Sequence, residues 1–402
     1  MDLKKIKALL GFLRELRAPI KLFTLLASIV LTIARRLLEQ DQTPAVKVLR
    51  QSFLGRTSLQ LPAGCTSPCL TECRDGSFAA AFAFAVVEDS RVINRICVVR
   101  SQNADDLAFA PRRPVYQTVL SPEQLTLTDT AFGLFLCWNN VGGRTFAAPQ
   151  AFGKAVAESL RKNADEQRQA ACADLGWHCA FVKSNGEASV RPRPLGINAA
   201  QPPVRLSNNE LLFVTAENGK PVVTRCTLPG CDTQPVCTLA LPQDDLVCLD
   251  AAVAKLKNGR IAAVLNLSGD LYYAFSDDLG VRWSRCQPMN IKASAPNLCV
   301  RSDGVTALSY LAPGRTLSLC ARISPDGEND WSDERVVVAT PAADFHRPLT
   351  AACGDAFLTV SRQRYCSDRQ PSALLTRWTI EEKEEAPETV EAPKAEALSA
   401  AE

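Results

Sequence analysis

The stretch AFSDDLGVRWSRC, residues 274–286, places Ser276, Asp278, Gly280 and Trp283 at intervals of two, two and three residues. Serine and aspartate oxygens accept hydrogen bonds from the backbone N–H groups of a tight turn, and glycine tolerates the dihedral angles that such a turn needs. Tryptophan offers a large apolar surface that packs between strands. Because each of these requirements is structural, we predict that the loop stabilises a turn and does not catalyse a reaction.

Short apolar runs surround this loop. AAVAKL leads to the Asn258-Gly259 turn, RIAAVLNL follows, Ser268-Gly269 turns the chain again, and LYYAF leads into the quoted loop. Such runs, separated by turn pairs, predict antiparallel strands joined by hairpins. The loop therefore lies between the third and fourth strands of a four-stranded unit.

The next unit repeats this order. APNLCV, VTALSYL and TLSLCARI lead to SPDGENDW, in which Ser324, Asp326 and Trp331 keep the spacing while the glycine moves to position 327. Turn signals recur along the whole chain, at Asp75-Gly76, Gly133, Asn208-Asn209, Asn258-Gly259, Asp303-Gly304 and Gly354-Asp355. Six such signals predict six four-stranded blades, an all-β propeller. The hydrophobic content of 47% is enough for a large core.

The pattern Ser-x-Asp-x-Gly-x-x-Trp, complete at 276–283 and partial at 324–331, resembles the Asp-box, or bacterial neuraminidase repeat, of the sialidase superfamily. Ser101 and Asn103 keep a weaker trace of it, and Ser184-Asn185-Gly186 a weaker one still. The resemblance covers roughly residues 45–380 and implies a six-bladed propeller of sialidase type. It also implies that the boxes lie on the face opposite the active site.

A sialidase active site, as the resemblance implies it, combines three arginines that clamp a carboxylate, a tyrosine nucleophile, a glutamate and an aspartate acid-base. This sequence departs from that set. Arginines are missing from Thr66–Leu70 and Ser294–Leu298, and Asn266 stands where another is expected. His346–Leu349 replaces the stretch that should carry the tyrosine. We therefore expect no true sialidase activity.

Other chemistry-bearing residues fall on the same predicted rim. Asp250 stands where the resemblance places the glutamate, and Glu88 or Asp89 lies in a blade-one loop that could supply an acid. The catalytic candidates are Asp250, Asp89, His346 and Arg347, and the binding candidates are Arg362, Arg364 and Tyr365. The alternative is structural, since residues of these types at strand starts commonly cap turns or pair with each other. His178, beside Trp177, is expected to be a packed residue.

The two ends differ from the middle. Residues 1–40 combine an amphipathic, basic segment with the uncharged run LFTLLASIVLTIA, which is shorter than a membrane-spanning helix requires. We predict a membrane anchor or signal there, with export of the propeller, although a soluble packed helix remains the alternative. Residues 41–380 form the predicted propeller. Residues 381–402, rich in Glu, Ala and Pro, are expected to be a disordered acidic tail.

Blade two contains an insertion at about residues 150–175 with helix-forming composition. On the propeller assignment it rises from the rim that carries the candidate site. We predict that it covers a ligand pocket or presents a surface to a protein partner, with a decorative surface helix as the alternative.

Charge and cysteine content restrict the function. A net charge of +2 gives no basic field for nucleic acid. The 16 cysteines include Cys226, Cys231 and Cys237, but no set has the paired spacing of a zinc site, and the count does not choose the redox compartment. No phosphate-binding or metalloprotease motif occurs, so we expect neither a metal nor a cofactor.

Three functions remain open. The first is an exported, membrane-attached propeller that binds or trims glycans. The second is a non-catalytic, membrane-attached scaffold for a protein partner. The third is an enzyme of different specificity, such as a lyase or a hydrolase of uncharged sugars, and in the latter case a glycoside hydrolase of the sialidase superfamily with altered specificity. A pocket with two facing carboxylates would favour the first or third, and a flat rim with apolar patches would favour the second.

Overall fold

The computed structural model describes residues 46–53, 65–88, 91–142, 174–183, 191–313, 318–339, 346–363 and 372–380. One compact unit runs from Val48 to Thr379. Its strands form six four-stranded sheets, each built from strands that follow one another along the chain or close the ring. This confirms the predicted all-β, six-bladed propeller.

Each of the first three blades is formed by four consecutive strands. Blade one contains β2 (Cys65–Glu72), β3 (Phe78–Glu88), β4 (Arg91–Ser101) and β5 (Arg113–Thr118). Blade two contains β6 (Ser121–Thr130), β7 (Gly133–Val141), β8 (Gly176–Val182) and β9 (Arg193–Pro194). Blade three contains β10 (Val204–Arg205), β11 (Glu210–Glu217), β12 (Lys220–Thr227) and β13 (Asp232–Thr238).

The second half of the ring follows the same plan. Blade four contains β14 (Cys248–Lys255), β15 (Ile261–Leu267), β16 (Asp270–Ser276) and β17 (Gln287–Lys292). Blade five contains β18 (Ser294–Val300), β19 (Thr306–Ala312), β20 (Ser318–Ser324) and β21 (Arg335–Ala339). Blade six contains β22 (His346–Cys353), β23 (Ala356–Gln363) and β24 (Ser372–Ile380), joined by β1 (Val46–Phe53) from the other end of the chain.

Pairing of β1 with β24 closes the ring, because it places the first strand of the chain in the same sheet as the last three. The closure fixes blade six between the two ends of the described chain, and the outer strand of each blade remains the edge of its own sheet.

The hydrophobic core lies between neighbouring blades. One buried cluster joins blades six, one and two, and others join blades two and three, three and four, and four and five. All seven residues of β15 are buried, as are Ala79–Ala83 of β3. Strands with both faces covered read as continuous apolar runs, which is why small alanines are frequent in them.

The first strands of successive blades pack against one another, as β2 does on β6 and β18 on β22, so they surround the axis. We call the end of the propeller where these strands begin the axial rim. The second strands turn into the third strands at this rim. The third strands end at the opposite face, which we call the box rim because residues 276–286 and 324–331 lie there.

Several predicted features fall outside the described residues. These are the N-terminal helix within residues 1–40, the acidic tail at 381–402, and all but the last two residues of the blade-two insertion. Among the residues that the structure describes there is no α-helix, and a 3-10 helix spans Ala104–Phe109. In that same part of the chain no helix is both long and apolar enough to cross a membrane.

Candidate functional site

The starts of the first strands are irregular in a way that shapes the axial rim. The pairing register shifts near the beginning of β2, β6, β14, β18 and β22. A bulge of this kind bends the strand and redirects the side chains within it. Pro68, Pro296 and Pro348 lie within three of these bulges, where a residue without a backbone N–H is tolerated.

Four polar side chains meet beside the axis: Gln201, Asp250, Asn297 and Arg347. We call them the axial cluster. Arg347 Nη1 donates to Asp250 Oδ1 at 2.9 Å and lies 3.4 Å from the carbonyl oxygen of Ala200. Asp250 belongs to blade four and Arg347 to blade six. Because blade five separates these blades in the ring, the ion pair joins blades that are not neighbours.

A second contact also joins blades that are not neighbours. The amide of Gln201, just before blade three, donates through Nε2 to the carbonyl oxygen of Pro296 in blade five at 2.9 Å. Asn297 Nδ2 lies 3.3 Å from Gln201 Oε1, and Asn297 Oδ1 accepts from the backbone N–H of Thr350 at 2.9 Å. The axial cluster therefore links blades three, four, five and six.

Burial determines the electrostatics of the cluster. The Asp250 side chain is 9% exposed and that of Arg347 is 19% exposed. Burial raises the pKa of Asp250 above its usual value, while the Arg347 guanidinium and hydrogen bonds from Ala251 N–H and Gln201 act in the opposite direction. An arginine side chain stays protonated in proteins, so it can hold an anion but cannot act as a nucleophile or general base.

The structure brings together only part of the predicted site. Asp250 and Arg347 meet, whereas Asp89, Arg364 and Tyr365 lie outside the described residues. His346 begins β22 opposite Arg362 of β23, whose side chain is buried. Other predicted residues are engaged elsewhere: Glu88 forms an ion pair with Arg95, and His178 is buried and stacked on Trp138 at 5.9 Å.

Gln201 and Asn297 were not predicted. Both are uncharged, and each lies next to a proline at the start of a strand, which the sequence presents as an ordinary turn. A search for carboxylates and arginines does not select them, although Gln201 and Asn297 are 6% and 3% exposed and complete the cluster.

The box rim carries the complete Ser-x-Asp-x-Gly-x-x-Trp motif of residues 276–283. In blade four, Ser276 Oγ donates to Asp278 Oδ1 at 2.9 Å and accepts from Gly280 N–H at 2.9 Å. Asp278 Oδ1 also accepts from the backbone N–H groups of Val281 and Arg282 at 3.1 and 2.8 Å. These donors lower the pKa of the Asp278 carboxyl. Trp283 Nε1 donates to the carbonyl oxygen of Gly280 at 3.0 Å.

The partial box of blade five repeats these contacts. Ser324 Oγ donates to Asp326 Oδ1 and accepts from Gly327 N–H, both at 2.9 Å. Trp331 packs edge-on against Tyr273 of blade four, with 6.4 Å between ring centroids. Gly327 therefore takes the role of Gly280 despite its shifted position. The polar groups of both boxes are satisfied within their own loops, and the tryptophans face neighbouring blades.

A small cavity of about 250 Å³ opens at the box rim between blades one and two. Arg100, Arg113 and Lys183 contribute to its lining. Arg100 is already paired with Asp75 at 2.7 Å. This cavity lies at the opposite end of the strands from Asp250 and Arg347, so it is not part of the predicted site.

Sequence comparison finds no matching family model and no matching curated protein. Structure comparison finds a Dyadobacter fermentans protein of unknown function, 13% identical, with a TM-score of 0.63 over 84% of this chain and 100% of that one. The K499G mutant of the Streptococcus pneumoniae sialidase NanB is 11% identical, with a TM-score of 0.52 over 83% of this chain and 70% of that one.

A Trypanosoma rangeli sialidase in complex with 2,3-difluorosialic acid, a covalent intermediate, is similar over 83% of this chain. It is 10% identical, with a TM-score of 0.52, and the match spans 59% of its length. At these identities the likeness concerns the fold alone. The chain folds as a sialidase-like propeller, and any activity must be argued from its own residues.

Proposed function

We propose that this chain is a sialidase-like propeller that binds a partner without hydrolysing sialosides. The observation that carries this proposal is the ion pair between Asp250 and Arg347. The tyrosine mechanism needs a nucleophile that a neighbouring carboxylate helps to ionise. The stretch that should carry the tyrosine reads His346–Leu349 here, and the Arg347 within it is a permanently protonated guanidinium whose charge is matched by the nearby carboxylate.

The partner that we propose is a protein. Val247 and Leu249, which flank the start of β14 beside Asp250, are 46% and 55% exposed. Leu175, where the chain returns from the blade-two insertion, is 46% exposed on the same rim. Exposed apolar side chains on this rim, close to the ion pair between Asp250 and Arg347, favour a protein contact. We further propose that the insertion at about residues 150–175 contributes to this contact.

Glycan binding is the second candidate. It is favoured by Arg347, which keeps 19% of its side chain exposed and has guanidinium donors beyond the Nη1 that faces Asp250. A sugar carboxylate could accept from those donors. A hydrolase of altered specificity would need a second carboxylate about 5–10 Å from Asp250. The candidate for that role, Asp89, lies outside the described residues.

We also propose that residues 1–40 attach the protein to a membrane and that the propeller is exported. The support is the basic, amphipathic and apolar character of that segment. Flotation of the full chain with lipid vesicles tests the attachment. A variant with Leu26→Glu and Ile29→Glu should lose flotation if the apolar run inserts, and unchanged flotation would contradict the proposal.

The enzymatic part is tested with the purified full chain and a fluorogenic sialoside, with Arg347→Ala and Asp250→Ala measured in parallel. We expect no turnover above that of buffer in any of the three. Turnover by the wild type that is lost in both variants would overturn the proposal and establish a glycosidase. A glycan array with the same proteins tests the second candidate, which predicts acidic-glycan binding that Arg347→Ala removes.

The protein contact is tested with Leu249→Asp, which places a charge on the exposed apolar rim. Leu279→Asp is the matched control, because Leu279 is 45% exposed on the box rim. Proteins captured by the tagged wild type from its native extract should be retained by Leu279→Asp and lost with Leu249→Asp. If both variants capture the same proteins in equal amounts, the axial rim is not the binding surface.

A further inference from the structure

Four cysteines that are distant in sequence meet between blades two and three. We call Cys137, Cys179, Cys226 and Cys231 the thiol cluster. Cys137 and Cys179 are cross-strand partners in β7 and β8 of blade two. Cys226 lies in β12 of blade three, and Cys231 lies in the turn that follows it. The first three are buried in one hydrophobic cluster, and Cys231 packs against that cluster from its partly exposed position.

Cys231 differs from the other three in accessibility and backbone. Its φ of 62° lies in the left-handed region, which a residue other than glycine, asparagine or aspartate rarely adopts. The turn holds it there, because its N–H donates to the carbonyl oxygen of Thr227 at 2.8 Å. A strained residue that is kept in place by its surroundings is a common feature of functional positions.

The surroundings of Cys231 favour a thiolate. The Sγ of Cys231 lies 3.6 Å from the carbonyl oxygen of Pro229. The neighbouring thiols of Cys179 and Cys226, together with Arg193, lower the pKa of Cys231, whereas burial opposes this change. Arg193 is placed by a hydrogen bond of 3.3 Å from Nη1 to the carbonyl oxygen of Gly230. The interaction with Cys231, and after it burial, raises the pKa of Cys179, so its thiol keeps its proton. A partly exposed thiolate beside a buried thiol is the arrangement of a redox-active pair.

We propose that Cys231 is the reactive thiol of a redox site and forms a reversible disulfide with Cys179, using a low-molecular-weight disulfide as oxidant. The proposal stands on the clustering of four cysteines from two blades and on the partial exposure of Cys231. The bond to Cys179 would join blades two and three covalently.

The chemistry takes two exchange steps. The Cys231 thiolate attacks one sulfur of the small disulfide RSSR; a Cys231–S–S–R bond forms, the RS–SR bond breaks, and RS⁻ leaves. The Cys179 sulfur then attacks the Cys231 sulfur, the Cys231–S–S–R bond breaks, and the thiol proton of Cys179 leaves with the departing group as RSH. Two cysteine thiols are oxidised, and one RSSR is reduced to two thiols.

The test uses the reduced full chain and one equivalent of oxidised glutathione, followed by quenching with N-ethylmaleimide in acid and peptide mapping by mass spectrometry. We expect a Cys179–Cys231 disulfide in the wild type. Cys179→Ala should leave glutathione attached to Cys231, and Cys231→Ser should leave Cys179 as a free thiol. Cys237→Ser, which removes a partly exposed cysteine outside the thiol cluster, should form the same disulfide as the wild type.

A rate measurement separates a reactive thiolate from an accessible thiol. At pH 6 an ordinary thiol is well below 1% ionised, so Cys231 should react with iodoacetamide at least tenfold faster than Cys237, whose pKa is raised by burial. The wild-type map alone decides the proposal if a variant fails to fold. Absence of modification at Cys231, a disulfide between Cys226 and Cys231, or equal alkylation rates would overturn it.

Discussion

The ion pair between Asp250 and Arg347 predicts a specific pattern of stability in three variants. Removing one partner of a buried ion pair costs about 3–5 kcal/mol, whereas replacing both by apolar residues of similar size is close to neutral. The Arg347 side chain is 19% exposed and can regain water. We therefore expect Asp250→Leu to cost about 3 kcal/mol, at the low end of that range. Arg347→Met should cost about 3–5 kcal/mol at pH 7, because the remaining carboxylate is more deeply buried.

The double variant distinguishes this account from ordinary packing loss. Asp250→Leu combined with Arg347→Met should unfold within about 1 kcal/mol of the wild type, because no buried charge is left without a partner. The coupling energy of the double-mutant cycle would then be several kcal/mol. Effects that add in the double variant would refute the reasoning. The control pair is Glu88 and Arg95, with side chains 43% and 25% exposed, where removal of either partner should cost less than about 1 kcal/mol.

The pH dependence provides an independent test. Because burial raises the pKa of Asp250, the folded state holds its proton to higher pH than the unfolded chain. The stabilising contribution of this proton is fully present below the pKa of an aspartate in the unfolded chain, about 4. It is lost as the pH rises through the higher pKa of Asp250 in the folded state. Arg347→Met removes the charge that opposes this rise. The destabilisation of that variant relative to the wild type should therefore be larger at pH 7 than at pH 4.

Urea titration followed by tryptophan fluorescence measures these differences at both pH values. In thermal unfolding, a loss of 3 kcal/mol in a unit of about 330 residues corresponds to a decrease in Tm of about 4 °C, provided that the ring unfolds in one step. A destabilisation by Arg347→Met that is the same at pH 4 and pH 7 would contradict the assignment of a buried, ionised Asp250.

Two further predictions concern the box rim. Gly280→Ala should lower the free energy of unfolding by about 2 kcal/mol more than Gly259→Ala does. Both glycines have positive φ (86° and 91°), but only at Gly280 would the added Cβ lie 2.9 Å from Leu212 Cδ1. Equal melting temperatures of the two variants would refute the close packing at Gly280. Ser276→Ala should cost about 1–3 kcal/mol in urea unfolding, because it leaves the buried Gly280 N–H without its acceptor. A loss below 0.5 kcal/mol would argue against that bond.

The sequence predicted the blades well because their signals are local. The box spacing, the turn glycines and the alternating runs each concern a few neighbouring residues, and the chain must satisfy them whatever its distant contacts are. Closure of the ring by β1 was not predicted. Its sequence, VKVLRQSF, is compatible with a strand but contains no information about pairing with β24 at the other end of the chain.

Residues of the candidate site could be predicted only where a charged side chain also fell at the start of the first strand of a blade. Asp250 and Arg347 were placed on one rim because each begins a first strand. Gln201 and Asn297 were missed because their positions depend on distant parts of the chain: Asn297 lies at a bulge that arises from strand pairing, and Gln201 lies in the loop before β10 and reaches blade five. The thiol cluster was missed for a similar reason: Cys226 and Cys231 were weighed together with Cys237, whereas their actual neighbour is Cys179, from another blade.

The hydrogen bonds among the polar side chains at the axis bear directly on whether this rim is a hydrolytic site. A hydrolytic site must keep donors and acceptors free for the substrate, and it accepts a cost in stability to do so. In the axial cluster several such groups already have protein partners: Arg347 Nη1 donates to Asp250, Gln201 donates to the Pro296 carbonyl, and Asn297 accepts from the Thr350 N–H. A ligand that entered between them would have to replace these bonds one for one. Binding energy is gained more readily on the surrounding rim, where Val247 and Leu249 are already exposed.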